Sequence, residues 1–440
     1  MAYLRRELGV LDAMMMGLGS IIGTGIFVSV GVAAGAAGPA VVLAVALGAV
    51  VASANGLSSA QLAASHPVSG GTYEYGYRYL SPAFGFTAGW MFLIAKSASA
   101  ATAALGTAGY LLAVLGAAPG GFLVPVALAA VILVTAVILF GIRLSSGVNA
   151  AIVSATLVSL TVFTAVGLPR VIADGFEHFK PFFPAAESVS PVRDAAVSVL
   201  RAAALMFVAY TGYGRIATLG EEVKSPRTTI PKAVTLTLAT VMALYTAVTV
   251  TAVGIAGAPA LAGAAEGGAA PLVAVSRLVP VPAVSLIVSA GAVSAMLGVL
   301  LNLILGLSRV LLAMGRRADM PASFGKLNHA GTTPTAAVIG VSVLIAALAA
   351  TGNVRTTWSF SAFSVLVYYA VTNLAAFLMP KEERLYPRWI AAAGFAACAS
   401  LAFFVERGVW LTGLGLIAAG LVWFAAASTL RKRRQRNAGR

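Results

Sequence analysis

The sequence carries little charge for its length. Of its 440 residues, 10% are charged and 60% are hydrophobic. Soluble domains typically carry about 25% charged residues, so a water-exposed surface cannot be built from this composition. Intrinsic disorder is excluded as well, because disordered chains have low hydrophobicity. The composition therefore predicts a protein that crosses a membrane many times.

Metal-ligating and nucleophilic residue types are also scarce. Cys398 is the one cysteine, which excludes an intramolecular disulfide and a cysteine metal cluster. The three histidines, His66, His178 and His329, stand singly between apolar segments. A membrane enzyme would need paired carboxylates, a histidine cluster or an activated nucleophile inside its spans, and these are missing. We therefore expect no catalytic residue, no metal ion and no organic cofactor.

Twelve apolar segments are long enough to cross a bilayer, which needs about 20 residues per helix. Alternation with a period of two, the pattern of a membrane barrel, is missing from them. The predicted spans are 10–36, 39–63, 83–113, 122–141, 148–169, 194–220, 232–256, 280–314, 335–351, 357–379, 389–405 and 409–430. Two longer connections, 171–193 and 257–279, are predicted to be loops.

The basic residues indicate an orientation and not a nucleic-acid partner. The net charge is +15, and Lys and Arg concentrate in alternate loops. Because cytoplasmic loops of membrane proteins are enriched in Lys and Arg, both termini are predicted to lie in the cytoplasm and the spans in the cytoplasmic membrane. The basic tail, residues 431–440, is expected to meet anionic lipid headgroups. No aromatic residues are interleaved with it, which disfavours nucleic-acid binding. Nothing in the sequence indicates an obligatory protein partner.

Two of the spans contain clusters of glycine. The first span has four glycines between residues 17 and 25, and the sixth contains residues 209–214, AYTGYG. Each glycine weakens a helix by roughly 1 kcal/mol relative to alanine. Such clusters indicate either close helix packing or unwound backbone that lines a cavity. Each cluster opens a group of five spans, so the second group would be inverted, and paired interruptions of this kind indicate a transporter.

An interrupted membrane helix exposes free backbone groups. One half-helix presents N–H groups at its start, and the other presents C=O groups at its end. The helix dipole gives the first set a partial positive charge and the second a partial negative charge. The N–H groups suit a carboxylate and the C=O groups suit an ammonium, so the pair matches a zwitterionic amino acid.

Four motifs in a fixed order carry a resemblance to a known family. They are residues 19–27 (GSIIGTGIF), 67–75 (PVSGGTYEY) followed by 85–90, 207–233, and 308–334. With them the chain resembles the amino acid–polyamine–organocation superfamily, in particular bacterial amino acid permeases related to the cationic amino acid transporters. The resemblance implies one all-α membrane domain over residues 1–440 with a LeuT-type 5+5 inverted repeat. The repeats would span 10–169 and 194–379, helices 1 and 6 would be broken at mid-membrane, and two further helices would lie in 389–430.

The resemblance also implies a substrate site. It would bind the substrate carboxylate at the N–H groups around Gly23, Thr24 and Gly25, and the amino group at carbonyls near both interruptions. The implied substrate-binding residues are Ile21, Ile22, Gly23, Thr24, Gly25, Phe207, Val208, Ala209, Tyr210 and Gly212. Val208 stands where many members carry an aromatic gate.

The sequence departs from the family at positions tied to ion coupling. Thr156 stands where some members carry a coupling lysine, and Arg215 replaces an acidic residue. Lys96 lies in the middle of the third span, where a charge costs roughly 2.5–3.5 kcal/mol. We hypothesise that Lys96 faces the interior and supplies a cationic or titratable group. The alternative is a structural lysine bonded to helix-end carbonyls.

Further candidates for coupling or gating carry alternative interpretations. Arg201 would either attract a carboxylate or snorkel to the headgroups. Tyr213, like Tyr210, would either gate the site or pack. Glu221 and Glu222 would form a gate or a salt-bridge network at the cytoplasmic end of helix 6.

The predicted function is secondary active transport of amino acids by alternating access. Missing acids and the added lysine disfavour a cationic substrate, so neutral or small amino acids are expected. The alternatives are a cationic amino acid or polyamine transporter and a non-transporting sensor. A channel is disfavoured because one chain carries both of its inverted halves. The sequence does not distinguish symport with protons or sodium from exchange or uniport.

Overall fold

The chain folds as an all-α protein. The computed structural model describes residues 8–67, 70–141, 146–183, 190–217, 223–328 and 331–438. Within these ranges the α-helices are α1 Val10–Ile21, α2 Thr24–Phe27, α3 Ser29–Ala37, α4 Val41–Ser65, α5 Thr72–Tyr79, α6 Pro82–Val114, α7 Leu123–Leu139, α8 Ser146–Ala173, α9 Pro191–Tyr210, α10 Gly214–Ala217, α11 Pro226–Gly268, α12 Pro271–Ser276, α13 Pro282–Arg316, α14 Thr335–Ala349, α15 Val354–Leu378, α16 Arg388–Leu401 and α17 Arg407–Ala438. Short 3-10 turns lie at Gly38–Ala40, Gly120–Phe122, Glu177–Phe179, Thr211–Tyr213, Ala322–Gly325 and Ala402–Phe404.

Many of these helices are long and apolar enough to cross a membrane. In the described ranges nine candidates have at least 18 residues, and one of them, Ser29–Ser65, combines α3, a 3-10 turn and α4. Three shorter apolar helices lie at Val10–Ile21, Thr335–Ala349 and Arg388–Phe404. The structure therefore confirms an all-helical protein with multiple apolar spans.

α6 lies at the centre of the molecule. Its most apolar stretch is 83% buried, whereas that of α17 is 11% buried. Alanine, glycine, serine and threonine dominate the buried face of α6, and such small side chains let neighbouring helices approach closely. α13 and α15 pack against this face. The central helix thus brings the two halves of the chain together.

The first glycine cluster interrupts the helix. α1 ends at Ile21, and Ile22 has extended backbone angles (φ −79°, ψ 105°). Gly23 is extended as well (φ 177°, ψ −121°), and α2 begins at Thr24. A side chain at Gly23 would place its Cβ 2.7 Å from Cγ2 of Val299 on α13. The interruption is therefore both non-helical and tightly packed.

The second interruption is milder than an unwound stretch. α9 ends at Tyr210, a 3-10 turn follows, and α10 continues from Gly214. Side chains complete the hydrogen bonds of the tightened turn. The Thr211 hydroxyl donates to the carbonyl of Val208 (2.8 Å), and the Tyr369 hydroxyl donates to the carbonyl of Thr211 (3.0 Å). These bonds keep the backbone near helical geometry.

The predicted loop 257–279 is mostly helical, which corrects the prediction from the sequence. α11 turns at Gly257, whose φ of 77° suits glycine, and continues to Gly268. The continuation packs closely on α3, because a Cβ at Gly31 would lie 2.7 Å from Cβ of Ala265. Its alanines and glycines give a weak hydropathy signal, so the composition alone does not indicate a helix here.

Two further segments are helical where the sequence predicted connections or a tail. α5 lies in the connection before α6, and α17 continues through residues 431–438 of the predicted basic tail. In α5, glutamate in the first turn and arginine in the last turn both stabilise the helix dipole.

Candidate functional site

The two interruptions lie against each other. A Cβ at Gly212 would lie 2.3 Å from the carbonyl oxygen of Ser20, and a Cβ at Gly25 would lie 2.7 Å from Cβ of Ala209. Real side chains do not approach this closely, so glycine is what permits these contacts. Residues about 190 positions apart in the sequence thereby form one closely packed region of backbone.

Both backbone N–H donors and backbone carbonyl acceptors lie in this region. Among the described residues, the N–H groups of Thr24 and Gly25 have no hydrogen-bond acceptor, and the buried hydroxyl of Thr24 has no partner. On the other side, the Tyr245 hydroxyl lies 2.9 Å from the carbonyl oxygen of Ile21 and 3.4 Å from that of Ala209. Sequence reasoning did not identify Tyr245, since its separation from both interruptions hides the contact.

A cavity of about 560 Å³ reaches these interruptions. We call it the central cavity, and its walls come from α1, α5, α6, α10 with the turn before it, α13 and α15. Its lining residues are Ser20, Gly70, Gly71, Glu74, Phe92, Lys96, Thr211, Gly212, Gly214, Arg215, Val299, Asn302, Leu303, Gly306, Arg309, Val310, Leu312, Ala313, Arg316, Arg317, Tyr368 and Tyr369.

The lining is strongly basic. Among the described residues its cationic side chains are Lys96, Arg215, Arg309, Arg316 and Arg317, and its one carboxylate is Glu74. Glu74 is paired with Arg317, with 2.6 Å between Oε2 and Nη2. Cavities lined by one sign of charge concentrate counter-ions and repel like charges. Arg309 and Arg316 were not identified from the sequence, although their separation of seven residues on a helix places them on one face.

Lys96 is buried at the inner end of the central cavity. Its side chain is 8% exposed, and Nζ donates to Oγ1 of Thr211 at 2.8 Å. Tyr369, which donates to the Thr211 carbonyl, also lines the cavity. The hypothesis that Lys96 faces the interior agrees with this position, and its role stays a prediction.

Most of the predicted substrate-binding residues are buried behind the cavity wall. Gly212 lines the cavity. The others are buried beside it: Ile21, Ile22, Gly23, Thr24, Gly25, Phe207, Val208, Ala209 and Tyr210. The Tyr210 hydroxyl donates to the carbonyl of Val45 on α4 (3.1 Å), a packing contact between helices. The structure therefore brings together the predicted substrate-binding residues of the two interruptions, but of these residues Gly212 alone lines the cavity.

Thr156 and Tyr213 lie outside the cavity lining. Thr156 is buried where α8 meets α13, and its hydroxyl donates to the carbonyl of Ile152 in its own helix (2.8 Å). Within the described part of the chain the buried Tyr213 hydroxyl has no hydrogen-bond partner, and its ring lies 5.4 Å from that of Tyr369. Glu221 and Glu222 lie outside the described residues.

Arg201 belongs to a charge cluster on the other side of the interruptions. Its Nη2 lies 2.7 Å from Oε1 of Glu406, which also pairs with Arg355 at 2.7 Å. Arg355 pairs in turn with Glu266 at 3.2 Å. We call Arg201, Glu266, Arg355 and Glu406 the outer cluster. Arg201 precedes the second interruption by ten residues, roughly 15 Å of helix. It makes a salt bridge with Glu406, a role that is neither of the two alternatives expected from the sequence.

Apolar helices around a charged cavity that ends at two helix interruptions define a membrane transporter. The chain belongs to the amino acid permease family, whose model matches residues 12–432. The family assignment agrees with the resemblance found in the sequence.

Relatives along nearly the whole length are transporters by name. An uncharacterized transporter of Mycobacterium tuberculosis (strain H37Rv) is 39% identical over 438 residues, which cover 99% of this chain and 94% of the relative. The branched-chain amino acid permease BcaP of Bacillus subtilis is 29% identical, with 96% and 91% coverage. The vacuolar cationic amino acid transporter 4 of Arabidopsis thaliana is 26% identical, with 79% and 58% coverage.

Proposed function

We propose that this amino acid permease is a secondary transporter that moves neutral or small amino acids across the cytoplasmic membrane by alternating access. The observation that carries the proposal is the central cavity, which reaches two mutually packed helix interruptions and whose charged lining residues are mainly basic. Transport would run by symport or by exchange, and we propose no organic cofactor.

The proposed architecture has twelve spans in two inverted groups of five, residues 10–169 and 194–379, followed by a pair of helices in 389–430. The contact between interruptions at the start of each group supports this arrangement. Both termini would lie in the cytoplasm. The end of α13, where Arg316 and Arg317 line the central cavity, would then lie on the cytoplasmic side, and the cavity would be open to the cytoplasm. The enrichment of basic residues on the cytoplasmic side of membrane proteins favours this orientation.

The proposed binding mode uses the backbone at both interruptions. The free N–H groups of Thr24 and Gly25 would bind the substrate carboxylate. The carbonyl of Ile21 would bind the amino group, because a carbonyl oxygen has two lone pairs and the Tyr245 hydroxyl occupies one. Because these groups are buried behind the wall of the central cavity, a substrate in the cavity would reach them once that wall opens during alternating access.

The basic lining supports a substrate without a cationic side chain. A lysine or arginine side chain would meet like charges in the cavity, and such repulsion is a common source of specificity. The name of the Bacillus subtilis relative, a branched-chain amino acid permease, favours the same class. A cationic substrate is the second candidate, supported by the name of the Arabidopsis relative, and a non-transporting sensor is the third.

Thermal unfolding of the purified protein tests substrate binding. A ligand that binds the native state stabilises it by RT ln(1 + [L]/Kd), about 2.7 kcal/mol at a hundredfold excess over Kd. We expect leucine, valine or alanine to raise the unfolding temperature, and lysine, arginine and putrescine to leave it unchanged. Leucinamide, which lacks the carboxylate, is the matched control. Stabilisation by arginine alone would favour the second candidate, and no shift with any amino acid would contradict the proposal.

A further inference from the structure

We propose that the ammonium group of Lys96 binds a carboxylate of the transported solute and thereby sets the charge selectivity of the carrier. This inference rests on the proposed function. It assigns to a side chain of α6 a role in recognition, in addition to the backbone groups at the interruptions.

The hydrogen bonding around Lys96 is incomplete. An ammonium group has three N–H donors. Within the described part of the chain one acceptor is present, Oγ1 of Thr211 at 2.8 Å. That hydroxyl uses its own proton on the carbonyl of Val208, so toward Lys96 it acts only as an acceptor. Two donors of a side chain that is 8% exposed are left for another partner.

The charge of Lys96 is also uncompensated. Among the described residues no carboxylate lies within 4.0 Å of Nζ. Arg317, in the same cavity, pairs with Glu74, and Arg201 in the outer cluster pairs with Glu406. A buried charge without a counter-charge is costly, and breaking a buried pair is costly for the same reason. The uncompensated ammonium therefore favours a ligand that brings a negative charge.

The position of Lys96 gives a solute access to it. Lys96 lines the central cavity together with Ser20, in the last turn of α1 before the first interruption, and Gly212 of the second. A carboxylate at this point would supply the missing counter-charge and acceptors for the two unused donors. A cationic side chain at the same point would meet repulsion from Lys96.

Two sources offer this chemistry. The α-carboxylate is present on every amino acid, and a second carboxylate is present on acidic amino acids. Because α-carboxylate binding would affect all substrates and side-chain binding only the acidic ones, a comparison of leucine with glutamate distinguishes them.

The test is uptake by the full-length protein in proteoliposomes, with the variants Lys96→Met, Lys96→Gln and Lys96→Arg. Substrates are labelled leucine and glutamate, and competitors are lysine and 3-methylbutylamine, which is leucine without its carboxylate. Lys96→Gln keeps a donor for Thr211 but removes the charge, and Lys326→Met makes the matched substitution at an exposed lysine outside the cavity. Thermal unfolding of each variant verifies folding.

We expect Lys96→Met and Lys96→Gln to raise the KM for carboxylate substrates at least tenfold with a smaller change in kcat. Competition by lysine and by 3-methylbutylamine should strengthen, whereas Lys96→Arg should retain selectivity. A raised KM for leucine would identify the α-carboxylate as the group that Lys96 binds. A raised KM for glutamate alone would identify the side-chain carboxylate.

Unchanged KM and competition in a folded Lys96→Gln variant would overturn the inference. An equal loss of uptake for all solutes, together with a lowered unfolding temperature, would show that Lys96 has a structural role, and this result would also overturn the inference. If the wild-type protein takes up no amino acid, the proposed function itself fails, which separates the two failures.

Discussion

Gly212 illustrates how a missing side chain shapes the candidate site. At this position the second interruption lies against the carbonyl of Ser20 and the side chain of Ile21, at distances that exclude a methyl group. The sequence indicated a glycine cluster here but left open whether it served packing or an unwound backbone. The structure shows close packing and only a 3-10 turn.

We predict that Gly212→Ala destabilises the protein and lowers uptake. The added Cβ would have to displace backbone at Ser20, and overpacking of this kind typically costs about 1–3 kcal/mol. Gly263→Ala is the matched control, since a Cβ at Gly263 on α11 meets no atom within 4 Å. Thermal unfolding and uptake are the measurements, and equal behaviour of the two variants would contradict the predicted contact.

His66, directly after the end of α4, makes the stability of this part of the protein sensitive to acid. Burial and the neighbouring guanidinium of Arg78 lower the pKa of His66 below its ordinary value of 6.5. Its Nδ1 lies 2.9 Å from Nη1 of Arg78, so the neutral ring accepts a hydrogen bond that protonation abolishes. Glu383 faces the same group, with its pKa lowered by the Tyr79 hydroxyl, and it titrates only at more acidic pH.

We predict that the unfolding temperature falls as the pH drops below about 6.5. The lowered pKa means that the unfolded state binds the proton of His66 more readily, so this stabilisation is present above the unfolded pKa and is lost below it. His66→Gln should weaken the dependence of the unfolding temperature on pH between about pH 8 and pH 5.5. A variant that loses as much stability on acidification as the wild type would show that His66 is not responsible.

At the scale of elements, α1 and the chain after α10 are joined outside the helices. Leu8 and Val223 form a parallel bridge, and the N–H of Lys224 donates to the carbonyl of Leu8 at 2.9 Å. This backbone contact ties the half-helix before the first interruption to the half-helix after the second. We therefore expect α1 and α10 to move together during transport.

The outer cluster joins four elements on the opposite side of the interruptions. It connects α9, the end of α11, the start of α15 and the segment before α17. Its members are partly exposed, so each pair contributes little to stability by itself. Glu406 is the shared carboxylate, and without it Arg201 and Arg355 would face each other as like charges.

We predict that Glu406→Gln opens this side of the protein. Ser359 lines a small pocket of about 20 Å³ beside the cluster, and the native Cys398 is fully buried. On the proposed topology this side faces the exterior. In a Ser359→Cys background, a membrane-impermeant maleimide added outside should therefore react several-fold faster once Glu406→Gln is present. Glu266→Gln, which removes one peripheral pair, should have a smaller effect. Unchanged reactivity with Glu406→Gln would mean that the cluster does not close this side.

Helices were predictable to different degrees. Long hydropathic segments such as α7 and α13 follow directly from the sequence, because about 20 apolar residues have few alternatives to a span. The extension of α11 beyond Gly257 was missed, since its small residues gain burial only from packing on α3. Hydropathy reports partition into lipid and does not report this kind of tertiary contact.

At the scale of the whole molecule, the sequence predicted the all-α membrane fold and the family, and the family model confirms the assignment over residues 12–432. The interruptions and Lys96 were also predictable, since glycine clusters and a charge within a span are local signals. Partners such as Tyr245 and Thr211, and the arginines of the cavity, depend on long-range packing. Contacts between residues so far apart in the chain cannot be predicted from local sequence patterns.

Counterflow in proteoliposomes shows directly whether this chain carries amino acids. Vesicles containing the purified protein are loaded with unlabelled leucine and diluted into a trace of labelled leucine. We predict a transient, saturable accumulation of label that excess outside leucine abolishes, and that protein-free vesicles do not show. The same result with another neutral amino acid would support the claim equally. No accumulation of any of the twenty amino acids by a folded protein would contradict it.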